Sequence, residues 1–221
     1  MDFSKRALPL RLLVLAVGLT LYAVGISVTV RASIGFSPWD VLHQGISNHT
    51  GLSFGTVSTL VGIVILLFNS LWKERIGFAT IANAVMIGII LDVVLPLIPK
   101  SQSYLTGIPM MLAGLAIIGF ATAIYISVGL GAGPRDGMML ALTKVTGKDV
   151  ALIRNAIEII VTLLGFILGG PVGLGTVITA LSMGFFVKLA FSVTGFDPSR
   201  ITHQYLGLSL VKDYLARQSA K

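Results

Sequence analysis

Six apolar stretches, at residues 8–31, 54–72, 76–98, 105–128, 150–168 and 172–194, are each long enough to cross a lipid bilayer as a helix. At about 1.5 Å of rise per residue, roughly twenty apolar residues span a hydrocarbon core about 30 Å thick. Backbone groups in lipid have to be satisfied within the segment, so helices are expected. The breaks between the stretches carry glycine, proline and charge, as in Lys73-Glu74-Arg75, Pro99-Lys100 and Gly169-Gly170-Pro171. Composition agrees: 55% of the 221 residues are hydrophobic, only 11% are charged, and the mean hydropathy is +0.93. So few charges cannot clothe a water-soluble fold of this size. A soluble enzyme, a disordered chain and a nucleic-acid module are thereby excluded.

The net charge of +7 would otherwise invite a nucleic-acid partner, but the basic residues are spread between the apolar runs. In a membrane protein that pattern encodes orientation. Six crossings with the N-terminus inside put thirteen of the sixteen Lys and Arg residues on the cytoplasmic side, and only Arg31 and Lys100 outside. Lys188 falls within the last span, towards its inner end, where a long side chain can snorkel to the surface. Counting 38–49 and 134–145 as further crossings would move Lys73 and Arg75 outside, and both segments are too short. Lys5, Arg6 and Arg11 ahead of the first run resemble a signal peptide, but the run is long and has an internal counterpart at 105–128, so it is read as a transmembrane helix. The expected location is the bacterial inner membrane, multi-pass, with both termini cytoplasmic. Zero cysteines exclude disulfides and thiolate chemistry.

The two halves of the chain align at an offset of 96 without a gap. Gly35, Pro38 and Asp40 fall on Gly131, Pro134 and Asp136, Thr50-Gly51 on Thr146-Gly147, and Gly77, Thr80, Ala84 and Gly88 on Gly173, Thr176, Ala180 and Gly184. Matched Gly, Pro, Asp and Thr carry weight that apolar matches would not. Each half has three crossings, an odd number, so the second copy enters the membrane from the opposite side. The expectation is two inverted three-helix repeats, 1–100 and 101–195, an architecture common among secondary transporters.

In each half the first span runs into an interrupted segment, Gly35-Phe36-Ser37-Pro38-Trp39-Asp40 and Gly131-Ala132-Gly133-Pro134-Arg135-Asp136. Glycine opens the backbone, and proline suits the first turn of a new helix. Ser37 or Gly133 is then the N-cap, with the aspartate at the third helical position. A short broken or re-entrant helix follows, about 38–48 and 134–145. Such segments at matching places in two halves point to a substrate pathway. Two compatible readings exist for Asp40 and Asp136. As helix caps they contribute roughly 0.3–1 kcal/mol each; as ionisable groups in a wet cavity they bind a cation or carry a proton.

The repeats differ where Trp39 stands opposite Arg135. These are an interfacial aromatic and an inside anchor, or they line opposite mouths of the pathway. Glu158 has Arg154 one turn before it as a natural i,i+4 partner; without that pair it is a further proton-carrier candidate. His43 shares the helix face of Asp40, where a lone histidine is more often structural. Asp92 and Lys188 are equivalent by the offset, but inversion puts them at opposite membrane faces. Asn69, Asn83 and Asn155 suit interhelical hydrogen bonds, and Ala84/Gly88 and Ala180/Gly184 suit close helix contact. After residue 195 the chain leaves the membrane, and an amphipathic helix is expected on the inner leaflet, with Ile201, Tyr205, Leu208, Val211 and Leu215 on one face.

The repeated Gly-x-x-Pro-x-Asp, the preceding Ile-Ser-Val-Thr-Val-Arg-Ala-Ser-Ile-Gly and the Tyr-Ile-Ser-Val-Gly-Leu-Gly-Ala-Gly-Pro-Arg-Asp-Gly of the second half resemble the bacterial YczE/YyaS/YitT group of small membrane proteins. The resemblance covers nearly the whole chain. It implies an inner-membrane location, and for relatives a role in export of antibiotics or similar small molecules. The function expected is a secondary transporter, in one form a proton-coupled exporter of small organic molecules, with Asp40 and Asp136 leading and Trp39, Arg135, Glu158 and His43 behind them. A passive channel and a non-catalytic assembly partner are the alternatives. No ATP-binding, nucleophile-elbow or metal signature occurs, so no enzyme and no cofactor is expected. Expected partners are the lipid bilayer, a small-molecule or ion substrate and, because six spans are few for a lone transporter, a second copy.

Overall fold

The computed structural model describes residues 1–206. Among these residues the chain is all-helical, with eight α-helices and two short 3-10 turns. Six are long and apolar: α1 (Leu8–Arg31), α3 (Phe54–Leu71), α4 (Phe78–Val94, continued as a 3-10 turn to Leu97), α5 (Tyr104–Ile126), α7 (Val150–Ile167) and α8 (Leu174–Thr194). Two are short: α2 (Pro38–Thr50) and α6 (Pro134–Thr146). The expected spans match within a few residues. Boundaries recur at the offset of 96, with the same caps: α2 and α6 both begin on Pro and end on a left-handed glycine, Gly51 at φ 70° and Gly147 at φ 65°.

The long helices pack in the order α3, α4, α1, α5, α8, with α1 and α5 crossing at the centre. Glycines bring those two backbones together. A methyl on Gly114 would lie 2.9 Å from the Gly25 carbonyl, and one on Gly18 would lie 2.9 Å from the Tyr125 nitrogen. The short helices cross between halves. α2 packs on α7 as well as on α3, and α6 packs on α3 as well as on α7. Asn69 of α3 donates to the Pro134 carbonyl at 2.8 Å, the interhelical bond expected of it. On the other side Asn48 of α2 donates to Gly169 at 3.0 Å. α7 joins this row through α2 and α6, so α7 and α8 stand at its two ends.

The interrupted segments dock on the other half. Gly175 donates its N–H to Ile34 at 2.7 Å and Phe36 donates to Pro171 at 3.0 Å, while Ala79 donates to Leu130 at 2.9 Å. The loops therefore sit on the starts of α8 and α4. Gly35 at φ 112° and Gly131 at φ 118° make these turns in a region that side chains disfavour.

Over residues 198–206 the chain departs from the expected amphipathic helix. Pro198–Arg200 forms one 3-10 turn, and 201–206 has no regular secondary structure, so Ile201 and Tyr205 share no helix face. The physical reason is competition for backbone bonds. Gln204 N–H donates to Gly129 at 2.7 Å and Leu206 N–H to Ile76 at 2.8 Å, which ties the strap to two loops. Leu208, Val211 and Leu215 lie outside the described residues. Arg11, expected as a cytoplasmic anchor, is 5% exposed. Its guanidinium donates to the Val128 and Gly129 carbonyls and to Gln204 Oε1, holding α1, the second interrupted loop and the strap together.

Candidate functional site

The helices surround a cavity of about 660 Å³. The first turns of both α2 and α6 reach it, so the two helix starts, each with a partial positive charge from its free N–H groups, meet there. Asp40, Asp136, Trp39, Arg135 and Glu158 all line its wall. Of the expected site residues only His43 stands behind the wall, 1% exposed and in edge contact with Phe54.

Trp39 and Arg135 correct the sequence reading. They neither form an interfacial belt and an inside anchor nor line opposite mouths. Trp39 is 9% exposed, and the Arg135 guanidinium sits 4.6 Å from its ring centre. The pair lies at equivalent positions of the two short helices, so the contact bridges the halves. With Arg135 half-buried, a cation over an indole face contributes about 1–2 kcal/mol.

The two aspartates have different surroundings. Asp40 accepts the Ser37 hydroxyl through Oδ2 at 2.5 Å, and its Oδ1 lies 3.5 Å from His43 Nδ1. Ser37 is the N-cap by position, yet its side chain donates to the carboxylate instead of capping backbone N–H groups. Neither ring nitrogen of His43 has a hydrogen-bond partner among the described residues. Asp40 and His43 are thus neighbours one turn apart on α2, both buried. Asp136 has other polar groups around it. Its Oδ2, the Tyr125 hydroxyl and Asn83 Nδ2 converge around Gly133, at 3.2, 3.4 and 4.0 Å from where a Cβ would stand. Gly133 is therefore the position at which a side chain would fill this polar corner.

Glu158 has the structural partner anticipated for it: Arg154 Nε donates to Oε1 at 2.9 Å. Asp92 accepts the Gly55 N–H at 2.8 Å and the Ser53 hydroxyl, capping the start of α3. Lys188 lines the cavity from α8. Sequence reasoning passed over Tyr22 and Tyr125, whose rings meet edge-on at 6.0 Å on the cavity wall. The available signal was a tyrosine hydroxyl within an otherwise apolar span.

Residues 9–192 match a family described as "Family of unknown function (DUF6198)". The chain is 35% identical over 190 residues to "Uncharacterized membrane protein YczE" of Bacillus subtilis (strain 168), covering 84% of this chain and 87% of that protein. It is 34% identical over 180 residues to an "Uncharacterized protein" of Haemophilus influenzae, covering 81% and 83%. To "Uncharacterized protein YyaS" of Bacillus subtilis it is 28% identical over 178 residues, covering 78% and 88%. No solved structure gives a significant match.

Proposed function

The chain belongs to the YczE-like group of membrane proteins, the family of unknown function DUF6198, and from that premise we propose that it is a secondary transporter, a proton-coupled exporter of small organic molecules. The observation that carries this reading is the meeting of two half-helix starts over one cavity, with Asp40 and Asp136 on its wall. Irregular backbone at membrane depth persists only against protein or a wet cavity. Substrate sites between discontinuous helices follow the same economy, because helix ends supply charge without side chains.

In this reading the halves are inverted in the inner membrane, with both termini cytoplasmic. The reciprocal docking of α2 on α7 and α6 on α3 supports it. α2 would emerge outside and α6 inside, their starts meeting near the midplane. Asp40 with His43 would hold a proton, while Asp136 with Tyr125 and Asn83 would bind the polar part of the substrate. A proton at Asp40 and a substrate at Asp136 would act on each other across the one cavity, which is how coupling would arise. The chain moves its substrate without enzymatic chemistry.

The test uses proteoliposomes loaded with a pH-sensitive dye and a panel of small organic acids and bases. Wild type is expected to move protons in a substrate-dependent way. Asp40→Asn and Asp136→Asn retain a helix-capping side chain and are expected to lower that flux at least ten-fold. Solute leakage with no linked proton movement would identify a passive channel. No substrate-dependent flux in wild type, with the cellular phenotype intact in both variants and in Glu158→Gln, would favour an assembly role.

A further inference from the structure

The molecule carries an internal comparison for how a seam between two helices closes. α3 and α4 pack along Gly55, Gly62, Ala84 and Gly88: a methyl on Gly88 would strike the Gly55 carbonyl, and one on Gly62 would meet Ala84 at 3.1 Å. Asp92, at the end of this seam, is fully engaged in capping α3.

The corresponding pair, α7 and α8, scarcely touch. A methyl on Gly184, the equivalent of Gly88, would meet nothing within 4 Å. The sequence explains the difference. Arg154 and Glu158 stand where Ser58 and Gly62 face α4, and Lys188 stands where Asp92 caps. The central cavity runs out between these helices, bounded by Arg154, Glu158, Gly184 and Lys188. In a chain whose six long apolar helices are suited to cross a bilayer, a gap between two of them would open onto lipid.

Charge decides what fits. Arg154 and Glu158 satisfy each other at 2.9 Å. Lys188 enters no ion pair among the described residues. Beside it on the same helix the cavity is lined by Met183 and Val187, and across the gap by the Arg154–Glu158 pair. Lys188 is exposed at the gap and free to take an anionic partner, and a molecule with an acidic head and an apolar body matches the ammonium and the apolar side chains beside it. A neutral or cationic amphipath leaves the ammonium unpaired.

We propose that the gap between α7 and α8 is a lateral binding site through which an amphipathic molecule with an anionic head group reaches the cavity from the bilayer, its acid paired with Lys188. The onward step rests on the transport reading above; the binding does not.

The test uses the full chain in phosphatidylcholine vesicles at pH 8, with a diazirine-bearing palmitic acid and the matching fatty alcohol as probes. The acid is expected to label the Met183–Val187 face saturably, with competition by unlabelled palmitate. Lys188→Ala is expected to weaken the acid about ten-fold, as loss of a charge-assisted hydrogen bond does, to leave the alcohol unchanged, and to be rescued by Lys188→Arg. Gly184→Phe, placed in open space, is expected to fold and to block labelling. Diffuse labelling equal to that of the α3–α4 face, equal behaviour of acid and alcohol, or indifference to Lys188→Ala would overturn the proposal. So would disulfide formation between Gly184→Cys copies with the gap protected from both probes, which would assign it to a dimer interface. Saturable acid binding beside unimpaired flux in Asp40→Asn and Asp136→Asn would sink the coupling role and leave this site standing.

Discussion

Gly77 and Gly173 occupy the two places where an interrupted loop crosses the start of a long helix. A methyl on Gly77 would strike the Leu130 carbonyl, and one on Gly173 would lie 2.6 Å from the Ile34 carbonyl. The match of these glycines at one offset was visible in the sequence, but its cause was not, because the obstructing backbone comes from a segment some fifty or more residues away (Leu130 against Gly77, Ile34 against Gly173). Gly77→Ala and Gly173→Ala are each expected to lower stability by about 1–3 kcal/mol, the usual cost of forcing atoms into a packed interior. Gly184→Ala, beside open space, is expected to change it by less than about 0.5 kcal/mol. Thermal unfolding in detergent measures all three. At Trp39 and Arg135 the sequence revealed only that the two positions correspond. Arg135→Ala is expected to cost about 1–2 kcal/mol, and Arg135→Gln about as much, since neither keeps the cation over the ring. Equal melting of both variants and wild type would show that the contact contributes nothing.

At the scale of elements, the short helices were legible from end to end, because proline, aspartate and the closing Thr-Gly are local signals. The strap at 201–206 was not. Its residues have helical amphipathic spacing, yet the backbone bonds offered by Gly129 and Ile76 win. His203 completes this docking by accepting the Gly131 N–H through Nδ1 at 3.3 Å, which requires a neutral imidazole. Burial holds its pKa below the ordinary 6.5. The undocked strap therefore binds a proton more readily, and docking weakens as the pH falls below about 6.5. The charged groups nearby, Arg11 on Gln204 and Arg75 over the Tyr205 ring at 5.7 Å, stay charged across this range and do not set it. Protection of the Gly131 amide from hydrogen exchange, taken relative to its intrinsic rate at each pH, is expected to fall between pH 7 and pH 5.5. His203→Ala is expected to remove the pH dependence; retention of it would assign the effect to another group.

For the whole molecule, orientation is the property that tests the inverted arrangement, and the absence of cysteine makes the measurement clean. Asn48→Cys is expected to react with an impermeant maleimide in intact cells. Lys144→Cys, at the position where wild-type Lys144 pairs with Glu74 at 2.6 Å, is expected to react only after the inner face is opened. Equal accessibility of both would refute the inversion.

The sequence by itself determined the spans, the two short helices and the spacing of 96 between equivalent elements. Those follow from hydropathy over about twenty residues and from turn chemistry over about six, both local properties. Only the tertiary structure decided which equivalents meet and which stay apart. Trp39 reaches Arg135, each interrupted loop lands on the other half, Arg11 is drawn inside, and α3 closes on α4 while α7 stands off α8. Those outcomes depend on how two nearly equal halves dock, and a few side chains that differ between the halves, Arg154, Glu158 and Lys188 foremost, are enough to leave one seam open.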